Sequence, residues 1–229
     1  MNYKVIATGS TGNATIIEDC ILIDCGVPYK AIKPYADKLK VVLLTHQHGD
    51  HFNPATVKAL ARQRPALRWA CCGWMVDHLL AAGVNVRCID VMRPGYASSY
   101  NGVAAVMPVK IPHNVPNCGW HISRNGELLF YATDTGSLDG VEAKDYDLYL
   151  VEANHTRAEL EARIAAKQAN GEYAYEYKAA ENHLSYEQAV DWLAANMGPT
   201  SLWVPMHGHK EKEGGQDHGR ETDVCEGDH

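Results

Sequence analysis

The chain has 229 residues, of which 46% are hydrophobic and 21% are charged, and its formal net charge is −7. These values are ordinary for a globular protein with a substantial core, and the negative charge argues against a broadly basic nucleic-acid surface. No run approaches the length of a membrane span and the start has no signal-peptide pattern, so we expect a cytoplasmic protein that binds no membrane. Seven cysteines without a C-x-x-C pair predict reduced thiols, not a disulfide framework or a thiolate zinc site.

Short strands are predicted at the beginning of the chain. Residues 4–8 form the first, and residues 14–18 and 21–26 form the next two as a hairpin. Asp24 stands near the end of the third strand, before Gly26. Two interpretations of Asp24 are open: it braces neighbouring metal ligands, or it is an ordinary carboxylate at a strand end.

A loop rich in metal-ligand side chains follows the apolar run Val41–Leu44, which predicts a short buried strand. Within six positions the loop places three imidazoles and one carboxylate: His46, His48, Asp50 and His51. The first two histidines are two positions apart, so their rings lean to the same side of an extended backbone. Imidazole nitrogen and carboxylate oxygen are ligands of zinc, manganese and iron. The loop therefore predicts a metal site held by a strand end.

Helices and a second sheet are predicted in the middle of the chain. Asn53 and Pro54 begin a helix over residues 55–64, and a second helix covers residues 73–82. Residues 84–111 contain short strand-like pieces, and Asn101-Gly102 between them indicates a hairpin. This alternation predicts a second sheet.

Four later strands are each followed by a ligand-type residue: His113, Asp134, His155 and His207. Open sheets place their sites at the carboxyl ends of strands, so we expect these residues to approach the metal loop. His113 is the candidate third imidazole for a first metal. Asp134 alone would be a routine strand-end cap or turn former, but beside the other ligands it is interpreted as a bridge between two metals. His78, inside a helix pattern, and His121, inside a strand pattern, are interpreted as structural or solvated.

Two further helices are predicted near the end of the chain, over residues 157–169 and 186–197. His183 lies just before the second of them, where the helix dipole and free amides favour an anion such as phosphate. Residues 1–210 are predicted to form one domain, and residues 211–229 a polar C-terminal tail.

Together these residues resemble those of the metallo-β-lactamase-fold hydrolase superfamily. The resemblance implies an α/β fold, specifically an αββα four-layer sandwich, with two divalent metal ions at one edge. The implied ions are zinc or manganese, with iron as a further option. The first metal would be held by His46, His48 and His113, the second by Asp50, His51 and His207, and Asp134 would bridge them.

Within the superfamily the chain most resembles the WalJ-like single-domain nucleases. Four segments carry this resemblance: Gly9-Ser10-Thr11-Gly12-Asn13, residues 131–136, Glu152-Ala153-Asn154-His155, and Asn182-His183-Leu184-Ser185. It implies a nuclease with a nucleic acid or a small phosphodiester as its substrate. The last two segments resemble regions that, in related tRNA-processing enzymes, contribute a histidine near the scissile phosphate.

We therefore predict phosphodiester hydrolysis on DNA or RNA ends by a metal-activated hydroxide, which Asp50 orients. His183 would contact the phosphate or protonate the leaving oxygen. His155 would hold His183 or the substrate, or would be a buried hydrogen-bonded histidine; Ser10 and Asn13 would line the mouth of the site or form a structural turn. The alternatives are a metal-dependent hydrolase of a small ester, lactone or thioester, and a non-catalytic metal-binding module. The sequence predicts no oligomeric state.

Overall fold

Two six-stranded sheets stack face to face in the computed structural model, which describes residues 1–173 and 176–208. In order across the first sheet the strands are β1 (Tyr3–Ala7), β2 (Ala14–Ile17), β3 (Ile21–Ile23), β4 (Val41–Leu44), β5 (Arg68–Cys72) and β6 (Ile89–Met92). In order across the second they are β7 (Ser98–Tyr100), β8 (Ala104–Ile111), β9 (Asn117–Arg124), β10 (Glu127–Ala132), β11 (Leu148–Glu152) and β12 (Leu202–Met206). The spatial order of each sheet is thus its chain order.

Helices cover the outer faces of both sheets. The α-helices among the described residues are α1 (Tyr29–Ile32), α2 (Pro54–Gln63), α3 (Val76–Ala81), α4 (Arg157–Ala169), α5 (Glu176–Asn182) and α6 (Tyr186–Asn196). One apolar cluster lies between the sheets, a second joins the first sheet to α1, α2 and α3, and a third joins the second sheet to α6. These three layers of contact confirm the αββα four-layer sandwich.

The alternation of side chains along β4 shows how the sandwich is built. Val41 and Leu43 belong to the cluster between the sheets, whereas Val42 and Leu44 belong to the cluster under the helices. All four are fully buried. A strand buried on both faces has no polar positions, which is why Val41–Leu44 is a continuous apolar run.

Most predicted elements are confirmed. The hairpin of β2 and β3 has the predicted turn, with Ile17 opposite Ile21. Asn53 caps α2 by accepting hydrogen bonds from Ala55 and Thr56, and α4 and α6 both begin with a capping box. β7 and β8 pair as the predicted hairpin, with Tyr100 opposite Ala104.

Two predictions need correction. The strand pieces in residues 84–111 were assigned to one second sheet, but β6 pairs in parallel with β5 and belongs to the first. The helix α5 was not predicted at all.

The predicted tail over residues 211–229 and the predicted domain end at residue 210 lie outside the described residues. Across residues 1–173 and 176–208, no helix is both long and apolar enough to cross a membrane.

Candidate metal centre

The candidate ligands meet at one edge of the sandwich because strand directions bring them there. β3, β4, β5 and β6 run parallel to each other, as do β10, β11 and β12. β8 is antiparallel to β9, which is antiparallel to β10, so β8 ends at the same edge as β10. The loop after β4 and the residues after β8, β10 and β12 therefore face one another.

The first donor set consists of His46, His48 and His113. The Nε2 of His46 lies 3.0 Å from the Nδ1 of His48, and the Nε2 of His113 lies 3.3 Å from the same atom. Two nitrogens bound tetrahedrally to zinc are about 3.3 Å apart, so the spacing fits one ion. Burial, and then the neighbouring His51, lower the pKa of His46, which keeps this imidazole neutral as a metal requires.

The second donor set consists of Asp50, His51, Asp134 and His207. The Nε2 of His207 lies 3.3 Å from Oδ1 of Asp134 and 3.6 Å from Oδ2 of Asp50. The other oxygen of Asp134 contacts the Nε2 of His51 and lies 3.4 Å from the Nε2 of His46, which belongs to the first set. Asp134 thus stands between the two sets, as a bridging carboxylate would.

Two buried polar atoms in this region support occupancy by cations. Asp134 Oδ2 and His207 Nε2 are shielded from solvent, and the polar atoms nearest to them among the described residues are other candidate ligand atoms, with which they form no well-aligned hydrogen bond. Ligand atoms crowded into a dry site without well-formed hydrogen bonds are costly, and both atoms point into the second donor set. The residues present therefore fit a group of divalent ions.

The electrostatics of the cluster indicate a strongly negative environment. Burial alone would lower the pKa of His51, but the carboxylates of Asp134 and Asp24 outweigh burial and raise it to about 10. Burial likewise opposes charge on His183 and His207, yet hydrogen bonds to neighbouring carboxylates raise both pKa values to about 10. Protons on these three rings supply the positive charge that bound metal ions would otherwise supply.

Asp24 braces the metal loop, as the first of its two interpretations proposed. This fully buried carboxylate accepts hydrogen bonds from the backbone and hydroxyl of Thr45, at 2.9 and 3.0 Å to Oδ1. Its Oδ2 also accepts a hydrogen bond from the Nδ1 of His51 at 2.7 Å. With the proton on Nδ1 held by Asp24, Nε2 is the nitrogen of His51 that would bind a metal.

His183 lies beside the second donor set. Its Nδ1 donates to Oε1 of Glu152 at 2.7 Å and lies 3.2 Å from Oδ1 of Asp134. Its ring stacks nearly parallel to that of His207, with centroids 5.2 Å apart. The side chain is 22% exposed, so one edge of the ring reaches the surface.

Three amides around the start of α6, which were expected to be free for an anion such as phosphate, have partners within the protein. The amide of Leu184 faces Oε2 of Glu152 at 3.4 Å, that of Ser185 donates to Gln188, and that of Tyr186 donates to the carbonyl of His155. These amides are already bound within the protein, so they cannot also bind an anion.

Glu152 is the site residue that the sequence analysis missed. It ends β11, is fully buried, and accepts hydrogen bonds from His183 and from the backbone of Thr135. Its Oε1 also lies 3.3 Å from the Nδ1 of His207. The available signal was its position at the end of an apolar strand that reaches the same edge as Asp134.

The three predicted substrate contacts occupy different environments. Asn13 is fully buried, with its Nδ2 2.8 Å from the Nε2 of His51 and its Oδ1 accepting from Gly9. Ser10 is exposed on the turn after β1. His155 is 5% exposed and its Nδ1 faces Oδ1 of Asn154 at 3.2 Å. Substrate contact by these residues stays a prediction.

The two histidines interpreted as structural lie apart from the donor sets. His78 is partly exposed, and its Nε2 is 3.0 Å from Oε1 of Gln47. His121 packs against Phe130 and contacts the hydroxyl of Tyr146, and burial lowers its pKa to about 4.

The fold and this edge define a metallo-β-lactamase protein. Residues 20–207 match the family described as "Beta-lactamase superfamily domain", and the chain belongs to this family.

Among individual relatives, the chain is 24% identical over 243 aligned positions to the exodeoxyribonuclease WalJ of Streptococcus pneumoniae, covering 92% of this chain and 82% of that protein. It is 30% identical over 128 positions to the UPF0173 metal-dependent hydrolase TK0141 of Thermococcus kodakarensis, covering 50% of this chain and 54% of that protein. The chain thus spans about half the length of the second relative.

Solved structures show the same fold at low sequence identity. The short form of human tRNase Z superposes with a TM-score of 0.67 at 15% identity, over 91% of this chain and 92% of that chain. A diphosphatase from the PhnP family superposes with a TM-score of 0.63 at 13% identity, over 90% and 85%.

Proposed function

We propose that the protein is a dinuclear-metal-dependent phosphodiesterase that hydrolyses phosphodiester bonds at nucleic-acid ends. The observation that carries this proposal is the pair of adjacent donor sets joined by Asp134, with the His183–Glu152 pair directly beside them. The substrate class is supported by two proteins whose names indicate action on nucleic acids: the exodeoxyribonuclease WalJ, which is similar in sequence, and tRNase Z, which has the same fold.

The two donor sets differ in the chemistry of their ligands. Three imidazoles would hold the first ion, and two imidazoles with Asp50 and Asp134 would hold the second. Such ligands accept zinc and manganese. Held by these residues, two divalent ions would lower the pKa of a water molecule and neutralise charge that develops on the phosphate.

Asp50 is the proposed residue that orients the attacking water. It is the least buried carboxylate of the second set, with 24% of its side chain exposed against 3% for Asp134. One of its oxygens faces His51 and His207, so the carboxylate lies between the ligands and the solvent. From this position it accepts a hydrogen bond from water on the open side of the site.

His183 is the proposed donor of the proton to the leaving oxygen. Glu152 holds its Nδ1, so Nε2 is the nitrogen left to face the substrate. When the P–O bond breaks, a proton passes from Nε2 to the leaving oxygen, and Glu152 stabilises the ring in the correct orientation. Glu152 is thus a positioning residue that acts through His183.

The proposal is tested with purified protein loaded with zinc or manganese. We expect turnover of bis-p-nitrophenyl phosphate and of end-labelled DNA or RNA. His183→Ala should lower turnover about 100-fold or more while leaving metal content unchanged. His78→Ala, which removes a partly exposed histidine outside the donor sets, is the matched control.

Three outcomes would overturn parts of this proposal. Absence of phosphodiester turnover under both metals would refute the reaction. Turnover confined to a lactone or thioester panel would instead assign the site to carbonyl substrates. Loss of metal from His183→Ala in proportion to the loss of turnover would show that His183 is a ligand.

A further inference from the structure

His207 has an unusual backbone conformation for a bulky residue. Its φ is 52°, in the left-handed region that side chains rarely adopt. This conformation turns the ring back from the end of β12, so that Nε2 faces Asp50 and Asp134. Such a conformation persists only when neighbouring groups hold it.

Two side chains from other elements hold the backbone of His207 on both sides. Its amide donates to the hydroxyl of Thr8, after β1, at 2.7 Å. Its carbonyl accepts a hydrogen bond from Nδ2 of Asn154, after β11, at 2.8 Å. Asn154 lies beside β12 because the amide of Ala153 donates to the carbonyl of Met206.

The orientation of the Asn154 amide follows from hydrogen-bond chemistry. A carbonyl oxygen only accepts, so the NH2 group must face the carbonyl of His207 and Oδ1 must face the other way. Oδ1 lies 3.2 Å from the Nδ1 of His155, which must therefore carry the proton and donate. His155 is itself fixed, because its carbonyl accepts from the amide of Tyr186 at the start of α6.

The same arrangement selects the proton position on His207. Nδ1 of His207 lies 3.3 Å from the carboxylate of Glu152 and 3.2 Å from Nδ2 of Asn154. A carboxylate oxygen only accepts, so Nδ1 donates its proton to Glu152, which leaves the lone pair of Nε2 for the second donor set.

We propose that Asn154, with its amide fixed by His155, is the positioning residue that holds His207 in its left-handed conformation and aims its Nε2 at the second metal. His155 is then part of the support of the metal centre and not a substrate contact. The inference rests on the proposed dinuclear centre.

The test is a titration of the metal-free protein with Co²⁺, in which the visible absorption is recorded as each equivalent binds. Asn154→Ala should weaken the second equivalent about 10–100-fold and leave the first unchanged. The first equivalent reports that the variant is folded. Asn114→Ala, which truncates an exposed asparagine next to the first-set ligand His113, should titrate like the wild type.

Two substitutions of His155 separate positioning from bulk. An asparagine places an amide N–H near the former Nδ1, whereas a glutamine places its amide near the former Nε2. His155→Asn should therefore retain the second equivalent, and His155→Gln should weaken it as Asn154→Ala does. Equal affinity of the two variants for the second equivalent would overturn the proposal that Nδ1 of His155 fixes the amide of Asn154.

The remaining outcomes are also decisive. Wild-type affinity of both equivalents in Asn154→Ala would overturn this inference alone, and so would parallel loss of both. A wild-type protein that binds a single equivalent would overturn the dinuclear centre, and the inference with it.

Discussion

Substitution of Gly26 by alanine should displace the metal loop. A Cβ at Gly26 would lie 1.7 Å from the carbonyl oxygen of Asp50, 2.0 Å from its carbonyl carbon and 2.5 Å from the amide nitrogen of His51. Real Cβ atoms essentially never approach closer than 3.0 Å, so the loop must retreat by at least 1.3 Å. The obstructing atoms are backbone, and no rotamer change can relieve the contact.

The loop has little freedom to retreat because hydrogen bonds hold it to the same neighbours. The carbonyl of Asp50 accepts from the amide of Asn13 at 2.6 Å, and the carbonyl of His51 accepts from the amide of Cys25 at 2.9 Å. Overpacking of this kind costs about 1–3 kcal/mol of folding free energy. A shift of about 1 Å in a positioned group can reduce its function about 100-fold.

The assay combines urea unfolding of the metal-free protein with metal titration. Gly26→Ala should lose about 1–3 kcal/mol of stability and bind the second metal about 100-fold more weakly. Gly49→Ala is the control within the same loop, because a Cβ there meets no atom within 4 Å. Unchanged stability and metal affinity in Gly26→Ala would refute this account of the loop.

Three further predictions follow from other features. Gly136→Ala would place a Cβ 2.2 Å from the carbonyl oxygen of Glu181 and displace the segment that carries His183, so turnover should fall while metal content is retained. Gly73→Ala is the control, because a Cβ there meets no atom within 4 Å. Equal activity of the two variants would contradict the prediction. Because burial lowers the pKa of His121 to about 4 from 6.5, the unfolded chain binds more protons between these values. Folding stability should therefore fall as the pH is lowered through this window, by roughly 2 kcal/mol at about pH 5. Urea unfolding with chelator present should show this component missing in His121→Phe, and an identical pH slope would contradict it. Chelation of metal present at about 1,000 times its dissociation constant should cost about 4 kcal/mol and lower the melting temperature by about 10 °C, as measured by calorimetry; no shift would show that the ions do not stabilise the fold.

Sequence reasoning located the donor sets because each ligand follows a strand. The apolar run Val41–Leu44 and the four ligands after it are adjacent in sequence, so local pattern suffices. His113, Asp134 and His207 were found because strands that reach one edge bring their end residues together. The resemblance to a known family then divided the ligands into two sets.

The features that the sequence did not reveal depend on tertiary contacts. Glu152 resembles any carboxylate after an apolar strand, and its burial against His183 and His207 becomes visible only in three dimensions. β6 could pair with the following hairpin or with β5, and local pattern does not choose between them. The amides of Leu184 and Tyr186 were expected to be free because their partners, Glu152 and the carbonyl of His155, are 32 and 31 positions away in the sequence.

Because both sheets follow chain order, each donor set combines ligands from the two halves of the protein. The imidazoles of His46 and His48 come from the first half, while His113 and His207 come from the second. During synthesis, His207 can join the second donor set only after β12 has been made and docked beside β11. The proposed second ion would therefore be bound late in maturation, after the strands that carry its other ligands have been made.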